Sequence, residues 1–459
     1  MALASLMAAE GRTAASAVED SDMNPLVAKE PHFAATAKQV IFLYMTGAPS
    51  QIDLFDPKPA LQKWHGQVPP PSLLKDRKSA FLKPNATLMA SPRIFRPHGD
   101  CGTEFSDYLP HTARHADEIC LVRSMQTDAI NHDPGEILMT TGTTILGHPT
   151  IGSWVSYGLG TESQSLPGFL VLNSGKRPSA AANNWSNGFL PSVYQGTPLR
   201  SGGDPILYLS SPPGVNRQLQ RVQLDALRLL NERRYKNTGD LEIASRIASY
   251  ELAFRMQAAA PELLDFCGES PSTLEAFGVN RKGERAQAYA VNCLLARRLV
   301  ERGVRFVMLI HANWDFHHGL DKRLKSYCDD TDQPTGALLR DLKQRGLLDD
   351  TLVLWGGEFG RTPMGEPEIH GGEPGRDHHA SCYSIWLAGG GIQGGQVVGK
   401  TDDLGLNVVE DKIHVHDLQA TILHCLGLDH TQLTYRHMGR DFRLTDVGGY
   451  VATKLLRTA

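Results

Sequence analysis

The chain has 459 residues, of which 41% are hydrophobic and 21% are charged, and its formal net charge is -4. This length leaves room for one elaborated catalytic domain or for two or three ordinary ones, and it can bury a sizeable core. The composition excludes disordered and fibrous proteins. Lys and Arg are spread along the chain, so nothing favours nucleic acid as a partner.

Cysteine and histidine usage narrows the chemistry further. The seven cysteines contain no C-x-x-C pair, which argues against both a disulfide framework and a thiolate zinc site. The eighteen histidines are a high count, and several stand beside Asp or Glu, which indicates metal or acid–base chemistry. No apolar run reaches the roughly 18 residues of a membrane span, so we predict no membrane-spanning helix.

The amino-terminal segment is short, apolar and rich in alanine. An A-x-A-like stretch at Ala14–Ala17 is similar to the end of an export signal whose charged front is absent, so an exported or periplasmic location is favoured over a cytoplasmic one. We predict a leader and polar linker over residues 1–37, one domain over residues 38–450 and a tail over residues 451–459.

Short apolar runs predict the strands of a parallel sheet. The first run, Gln39–Met45, ends in a turn containing Gly and Pro, as a buried strand would. Similar runs occur at Ile119–Val122, Phe169–Leu172, Val304–Ile310, Thr351–Trp355 and Ser384–Leu387. Over about residues 218–302 the apolar residues take helical spacing, which predicts a helical insertion. The sequence therefore predicts an α/β fold with a doubly wound, mostly parallel sheet and helices on both faces.

Three polar side chains follow the second predicted strand. Thr127, Asp128 and Asn131 lie just before a predicted helix over Glu136–Thr141. Anions bind readily at helix amino termini, and a nucleophile suits this place. An ordinary helix cap using Asn131 or the Asp133-Pro134 pair is the alternative.

Histidines and carboxylates follow two later strands. Asp315, His317 and His318 come after the fourth strand, and together they can present an oxygen and imidazoles to a cation. A turn with solvated histidines is the alternative. Glu358 follows the fifth strand as a candidate ligand, and Arg361 could hold an anionic ester group. These two side chains could instead pair with each other.

Two adjacent imidazoles, His378 and His379, precede the last predicted strand and are hard to explain as core residues. The carboxyl ends of parallel strands share one edge of a sheet, where open α/β sheets bind ligands. Taken together, the polar groups after these strands therefore predict a metal site at that edge.

These motifs together resemble an uncharacterised, sulfatase-like domain-of-unknown-function family of the alkaline phosphatase superfamily. The resemblance extends over residues 38–450, and members often begin with a twin-arginine export signal. The motifs that carry it lie at residues 45–58, 131–134, 314–318, 356–363, 375–379 and 414–418.

The resemblance implies two divalent metal ions, a nucleophile at a helix amino terminus and hydrolysis of phosphate or sulfate esters. Asp315, with His317 or His318 and one His of the 378–379 pair, corresponds to one metal site. Asp53 is the nearest candidate for the Asp that follows the first strand. Glu358 stands where the superfamily has Asp, and Phe359 replaces the His that follows it.

The nucleophile segment also departs from the superfamily. Thr127 lies one residue further from Asn131 than in phosphodiesterase relatives, and Asp128 takes the expected place. The Cys-x-Pro-x-Arg motif of sulfatases that use formylglycine is absent, so that mechanism is not expected.

The sequence therefore supports a metal-dependent hydrolase of a small-molecule or carbohydrate ester. Zinc is the expected ion, with calcium or manganese as alternatives. Thr127 or a metal-activated water would attack, Asn131 would stabilise the oxyanion, and Arg361 or Arg376 would bind the anionic group. The alternatives are an exported, non-catalytic binding protein on the same fold and a phosphate-transferring mutase.

Overall fold

A computed structural model of the protein describes residues 24–70, 85–199, 211, 213–366 and 373–458. In chain order its strands are β1 (Gln39–Tyr44), β2 (Thr87–Leu88), β3 (Phe95–His98), β4 (Thr103–Ser106), β5 (Ile119–Gln126), β6 (Phe169–Ser174), β7 (Thr197–Leu199), β8 (Phe306–His311), β9 (Thr351–Gly356), β10 (Gly360–Gly365), β11 (Arg376–His379), β12 (Tyr383–Ala388), β13 (Gln396–Val398), β14 (Lys400–Thr401), β15 (Val408–Glu410), β16 (Ile413–His414), β17 (Tyr435–His437) and β18 (Arg440–Phe442).

The helices alternate with these strands. They are α1 (Gln51–Leu54), α2 (Ala60–Trp64), α3 (His132–Thr141), α4 (Ile151–Leu159), α5 (Arg217–Thr238), α6 (Leu241–Leu264), α7 (Pro271–Phe277), α8 (Glu284–Val300), α9 (Leu320–Gln344) and α10 (Val415–Cys425). Short 3-10 helices occur at Thr112–His115, Ala181–Trp185, Ser192–Tyr194 and Thr453–Leu455. Among the described helices, none is both long enough and apolar enough to cross a membrane.

The central sheet runs in the order β13, β5, β12, β9, β1, β8, β6 and β7, with β16 also paired to β5. Its neighbours pair in parallel except at β12, which is antiparallel to both β5 and β9. All six predicted strands belong to this sheet, so the predicted mostly parallel α/β fold is confirmed. The second strand extends to Gln126 rather than Val122, because β12 and β16 also pair with its final residues.

Both faces of the sheet are covered by helices. Along β1, Ile41 and Leu43 contribute to the core on one face, while Val40 and Phe42 contribute to the core on the other. Helices α8 and α9 supply the first core, and α3, α4 and α10 supply the second. Because successive side chains of a strand point to opposite faces, a strand covered on both sides must be apolar throughout.

The predicted helical interval contains helices α5 to α8. Of these, α8 is part of the main core rather than an added element, because Tyr289, Cys293 and Leu294 are fully buried against the sheet. Helix α6 also reaches the core through Leu252 and Met256, whereas α5 has no buried residue.

The described ends of the chain pack on the domain. The backbone N–H groups of Thr36 and Ala37 donate to the carbonyl of Cys425, and Leu455 near the other end is fully buried. The predictions for residues 1–23 lie outside the described residues, and the boundaries at residues 37 and 450 stay predictions.

Candidate metal centre

Two loops interlock at the carboxyl edge of the sheet. The carbonyl of Thr46, after β1, accepts the backbone N–H groups of Asn313 and Trp314, after β8. Gly47 has a φ of 99°, and a Cβ there would lie 2.4 Å from the backbone nitrogen of Trp314. Only glycine combines this conformation with so close an approach, so the turn fixes the start of the segment that carries Asp315.

Three imidazoles converge on one carboxylate oxygen in this region. Oδ1 of Asp315 lies 2.8 Å from Nε2 of His317, 3.2 Å from Nε2 of His132 and 3.4 Å from Nε2 of His378. These side chains come from three elements: the start of α3, the loop after β8 and strand β11. One ligand atom from each of the four residues lies within 4.8 Å of all the others.

The opposite nitrogen of each imidazole is held by an acceptor. Nδ1 of His132 donates to Glu358 at 2.6 Å, and Nδ1 of His378 donates to the carbonyl of Ile130 at 2.7 Å. Nδ1 of His317 is bonded to Glu366. Because carboxylate and carbonyl oxygens only accept, each Nδ1 carries a proton and each Nε2 is directed to the centre. Metal-ligating histidines are held by outer partners of this kind.

The donor spacing fits a small divalent ion. Nε2 of His317 and Nε2 of His378 are 3.1 Å apart, and Nε2 of His132 is buried without a hydrogen bond of good geometry. Ligand atoms of a tetrahedral site with metal–nitrogen distances of about 2.0–2.1 Å lie about 3.3 Å apart. Three imidazoles and one carboxylate at this spacing therefore form a possible metal-binding cluster.

The pKa values of the cluster residues show which protons a cation would displace. Burial opposes protonation of His132 and His317, but the adjacent carboxylates outweigh it and raise the pKa of each to about 9. Burial lowers the pKa of His378. Burial alone would raise the pKa of Asp315, yet its imidazole and Arg361 partners hold it far below the ordinary value. At neutral pH the imidazoles of His132 and His317 thus each carry a second proton, on Nε2, which a divalent ion would replace.

Arg361 holds Asp315 in place. Its guanidinium is 1% exposed and donates to Oδ1 of Asp315 at 2.6 Å. The same group donates to the carbonyls of Gly47, Ala48 and Arg376. These contacts join the loop after β1 to β11 and to the carboxylate of Asp315. The guanidinium of Arg361 therefore already donates its hydrogen bonds to groups of the protein itself.

Glu358 lies directly behind His132. Its carboxylate is fully buried, accepts the backbone N–H of Gly47 at 2.9 Å and accepts Nδ1 of His132. Glu358 is therefore the outer partner that orients one imidazole of the cluster. Its contact with the cluster is made through His132 rather than through Asp315.

A second group of possible ligands adjoins the first. Glu366, which is bonded to Nδ1 of His317, and Asp377 are both buried, and one ligand atom from each of these three residues lies within 4.8 Å of the others. His317 thus stands between the two groups, with one ring nitrogen turned to each.

Asp53 occupies a different place from the cluster. Its carboxylate is 2% exposed and accepts Nε of Arg376 at 2.8 Å and Nη2 of the same guanidinium at 3.2 Å. Burial opposes its ionisation, but Arg376 keeps the pKa of Asp53 below its ordinary value. The structure thus places Asp53 and Arg376 in a buried ion pair, and neither group of possible ligands includes Asp53.

Each adjacent histidine pair is divided by the structure. His317 faces the cluster, while His318 is exposed and pairs through its backbone with Pro374. His378 faces the cluster from β11, while Nε2 of His379 donates to the carbonyl of Leu406 at 3.1 Å. His378 and His379 are neighbours in a strand and point to opposite sides, so only one of them can serve the site. In the loop after β8, the backbone pairing of His318 with Pro374 accompanies its exposed position.

The predicted catalytic segment runs beside the cluster. The backbone N–H of Thr127 donates to the carbonyl of Ala380, and its hydroxyl accepts the N–H of Ala129 at 3.4 Å. Asp128 is exposed and accepts Nε2 of His414 at 3.1 Å. Asn131 occupies the N-cap position of α3 without a side-chain capping bond. Its exposed amide therefore stands next to His132.

Sequence reasoning missed three candidate ligands, His132, Glu366 and Asp377. The signal for His132 was its position at the first turn of a helix that follows a strand, next to Asn131. Asp377 directly precedes the predicted ligand His378. Glu366 follows the short strand β10 and carries no pattern in the sequence that separates it from a surface carboxylate.

Glu136 anchors a neighbouring loop one turn after His132. Its carboxylate is 1% exposed and accepts the N–H groups of Ser179 and Ala180 at 3.2 and 2.8 Å, and the side-chain amide of Asn184 at 2.8 Å. Burial and the nearby carboxylate of Glu358 raise the pKa of Glu136 to about 7.

This raised pKa predicts a loss of stability with rising pH. The unfolded chain releases the proton near pH 4.5 and the folded chain near pH 7, so folding is favoured less as pH rises through that window. Between pH 5 and 8 we expect this group to remove roughly 2 kcal/mol of unfolding free energy. Urea titrations of wild type and Glu136→Gln at both pH values measure it, with exposed Asp133→Asn as control. If the unfolding free energies of wild type and Glu136→Gln change with pH in parallel, the prediction is contradicted.

Comparison with known proteins supports the resemblance found in the sequence. A family model described as "Protein of unknown function (DUF1501)" matches residues 37–456. The chain belongs to the DUF1501 family. A comparison of this DUF1501 protein with curated proteins finds no match.

Solved structures with a similar fold have low sequence identity to the DUF1501 protein. A mutant of alkaline phosphatase from the Antarctic bacterium TAB5, with Mg bound in its M3 site, is 13% identical, with 86% of this chain and 99% of that chain covered and a TM-score of 0.37. The PsFucS1 sulfatase from Pseudoalteromonas sp. is 12% identical, with 94% and 72% covered and a TM-score of 0.41. The lipoteichoic acid synthase LtaP from Listeria monocytogenes is 9% identical, with 95% and 81% covered and a TM-score of 0.37.

Proposed function

We propose that this DUF1501 protein is a metal-dependent hydrolase of a phosphate or sulfate ester. The observation that carries the proposal is the convergence of three imidazole Nε2 atoms on Oδ1 of Asp315, each ring being oriented by a bond at Nδ1. The cluster lies at the carboxyl edge of an open α/β sheet, where such sheets bind ligands.

The donor set favours zinc. His132, Asp315, His317 and His378 would hold the ion, and an imidazole-rich set suits zinc better than calcium, which prefers six to eight oxygen ligands. Manganese also prefers carboxylate and water oxygens. A bound divalent ion supplies Lewis-acid chemistry, because it polarises an ester oxygen and lowers the pKa of water.

The chain's own groups would bind and orient the ester. Asn131 presents an amide at the start of α3, where the first backbone N–H groups of the helix also favour an anion. Its amide would donate to the oxygen that gains charge in the transition state. Thr127 stays the candidate nucleophile, and Asp128, paired with His414, is the candidate proton acceptor at the rim.

The contacts of Arg361 favour a positioning role. Its guanidinium already donates to Asp315 and to three backbone carbonyls, so it would orient the carboxylate rather than bind the substrate's anionic group. Arg376 is likewise engaged with Asp53. The engagement of both arginines is the observation that favours the second candidate, a non-catalytic metal-binding protein on the same fold.

Aryl phosphate and aryl sulfate hydrolysis tests the two candidates. We expect turnover with zinc, loss after chelation and recovery when zinc is returned. Asn131→Ala is expected to lower kcat by about 100-fold, as loss of one oxyanion donor does, with metal content unchanged. Exposed His318→Ala is the control with unchanged kcat. Metal retention without turnover of any ester would favour the binding protein, and absence of metal binding would contradict both.

A further inference from the structure

Helix α5 packs on the protein through its polar side. None of its 22 residues is buried, and it lies against α6. Nη1 and Nη2 of Arg221 donate to the carboxylate of Glu251, at 2.8 and 2.5 Å, and this guanidinium lies 5.0 Å from the ring of Phe254. Charged groups thus share this side with the partly buried Leu224 and Tyr235, whereas this side of a surface helix usually holds mainly apolar residues.

Four apolar residues of α5 are exposed. Leu219, Val222, Leu227 and Leu230 are between 43% and 51% exposed. The helix is nevertheless well delimited, because Asn216 caps its first turn and Gly239 ends it in the left-handed conformation. An exposed apolar face on a well-formed helix marks an interaction surface.

The spacing of this face suits another helix. Leu219, Val222, Ala226 and Leu230 recur every three or four residues and form one stripe along α5. This is the narrow seam along which two helices pack, and the small Ala226 at its centre permits close approach.

The charges of α5 identify the partner's chemistry. Three exposed cations, Arg233, Arg234 and Lys236, follow the stripe in the last turns. The two acidic residues of α5 are already paired within the helix, Asp225 with Arg221 and Glu232 with Arg228. A second copy of the chain would bring like charges to this end, whereas an acidic partner would neutralise them.

We infer that the outward face of α5 is a docking site for an acidic amphipathic helix of another protein. The partner would place apolar side chains along the stripe and carboxylates opposite the three cations. This inference is independent of the proposed ester hydrolysis, because it uses no residue of the metal centre.

Two synthetic amphipathic peptides test the inference. Both are three heptads long with leucine along one seam, and one carries Glu while the other carries Lys at the flanking positions. In fluorescence anisotropy with the full-length protein, we expect the Glu peptide to bind at least about tenfold more tightly. Leu219→Ser/Leu230→Ser should abolish this binding, and Arg233→Glu/Arg234→Glu should reverse the preference. Ile145→Ser/Leu146→Ser, at two exposed residues outside α5, is the matched control and should bind normally.

Five outcomes would overturn the inference, and the peptide and vesicle experiments supply four of them. These are absence of binding by either peptide, equal binding of both peptides, unchanged binding by the Leu219→Ser/Leu230→Ser variant, and flotation of wild type with anionic phosphatidylglycerol vesicles in place of peptide binding. A dimer in light scattering that the same double variant dissolves would show a second copy as the occupant instead. Circular dichroism melting of each variant confirms that loss of binding is not loss of fold.

Discussion

Replacing His317 with alanine is expected to abolish metal binding at the proposed centre, whereas replacing its neighbour His318 is not. Nε2 of His317 lies 2.8 Å from Asp315 and 3.1 Å from Nε2 of His378, but His318 is exposed. Loss of an outer partner costs about 10–100-fold in metal affinity, and loss of a direct ligand should exceed that. The pair differs by one position in the same segment, so a general disturbance of the loop would affect both variants.

Elemental mass spectrometry and zinc titration of the two variants measure this difference. His378→Ala and His379→Ala form a second matched pair, because His379 donates to the carbonyl of Leu406 instead. The metal content of Glu358→Gln should lie between that of the ligand variants and that of their controls, because Glu358 accepts the hydrogen bond from Nδ1 of His132. Equal metal content in His317→Ala and wild type would show that the cluster is structural.

Removing the carboxylate of Asp53 is expected to destabilise the fold without removing the metal. Asp53 and Arg376 are both at least 98% buried, and two guanidinium nitrogens contact the carboxylate. Breaking a buried pair leaves an uncompensated charge and costs about 3–5 kcal/mol. We therefore expect Asp53→Ala to lower the free energy of unfolding by that amount, while the folded fraction binds as much metal as wild type does.

Urea unfolding, followed by metal analysis of the folded protein, distinguishes a structural ion-pair role of Asp53 from a role as metal ligand. The double variant Asp53→Leu/Arg376→Met removes both charges, so it should recover much of the stability that Asp53→Ala loses. If folded Asp53→Asn protein instead loses its metal while stability is retained, Asp53 is a ligand, as the family resemblance implied.

The two pairs of adjacent histidines show which features of the site the sequence predicts and which depend on the tertiary structure. A pattern such as His378-His379 shows that imidazoles stand at the end of a strand region, yet strand alternation allows only one of them to face a given site. Which one does so depends on the pairing of β11 with β10, where His378 stands opposite Arg361. That register joins two strands that are not adjacent in the sequence, so the local sequence did not decide it.

Long-range convergence also explains why His132 was missed. The residue stands at the first position of α3, and a single histidine there is as compatible with a solvated cap as with a ligand. Only the position of α3 beside β11 and the loop after β8 brings its Nε2 to 3.2 Å from Asp315. The carboxylate behind it, Glu358, comes from a fourth segment, and its contact with Nδ1 gives the imidazole its tautomer.

The sequence by itself determined the α/β class, the six principal strands and the edge of the sheet at which the polar groups gather. It could do so because a strand buried on both faces must be a continuous apolar run, and because loops after parallel strands share one edge. Tertiary structure decided the rest: the antiparallel direction of β12, the Asp53–Arg376 pair and the choice of cluster members. These features depend on contacts between segments far apart in the chain, and such contacts leave no periodic pattern within any one segment.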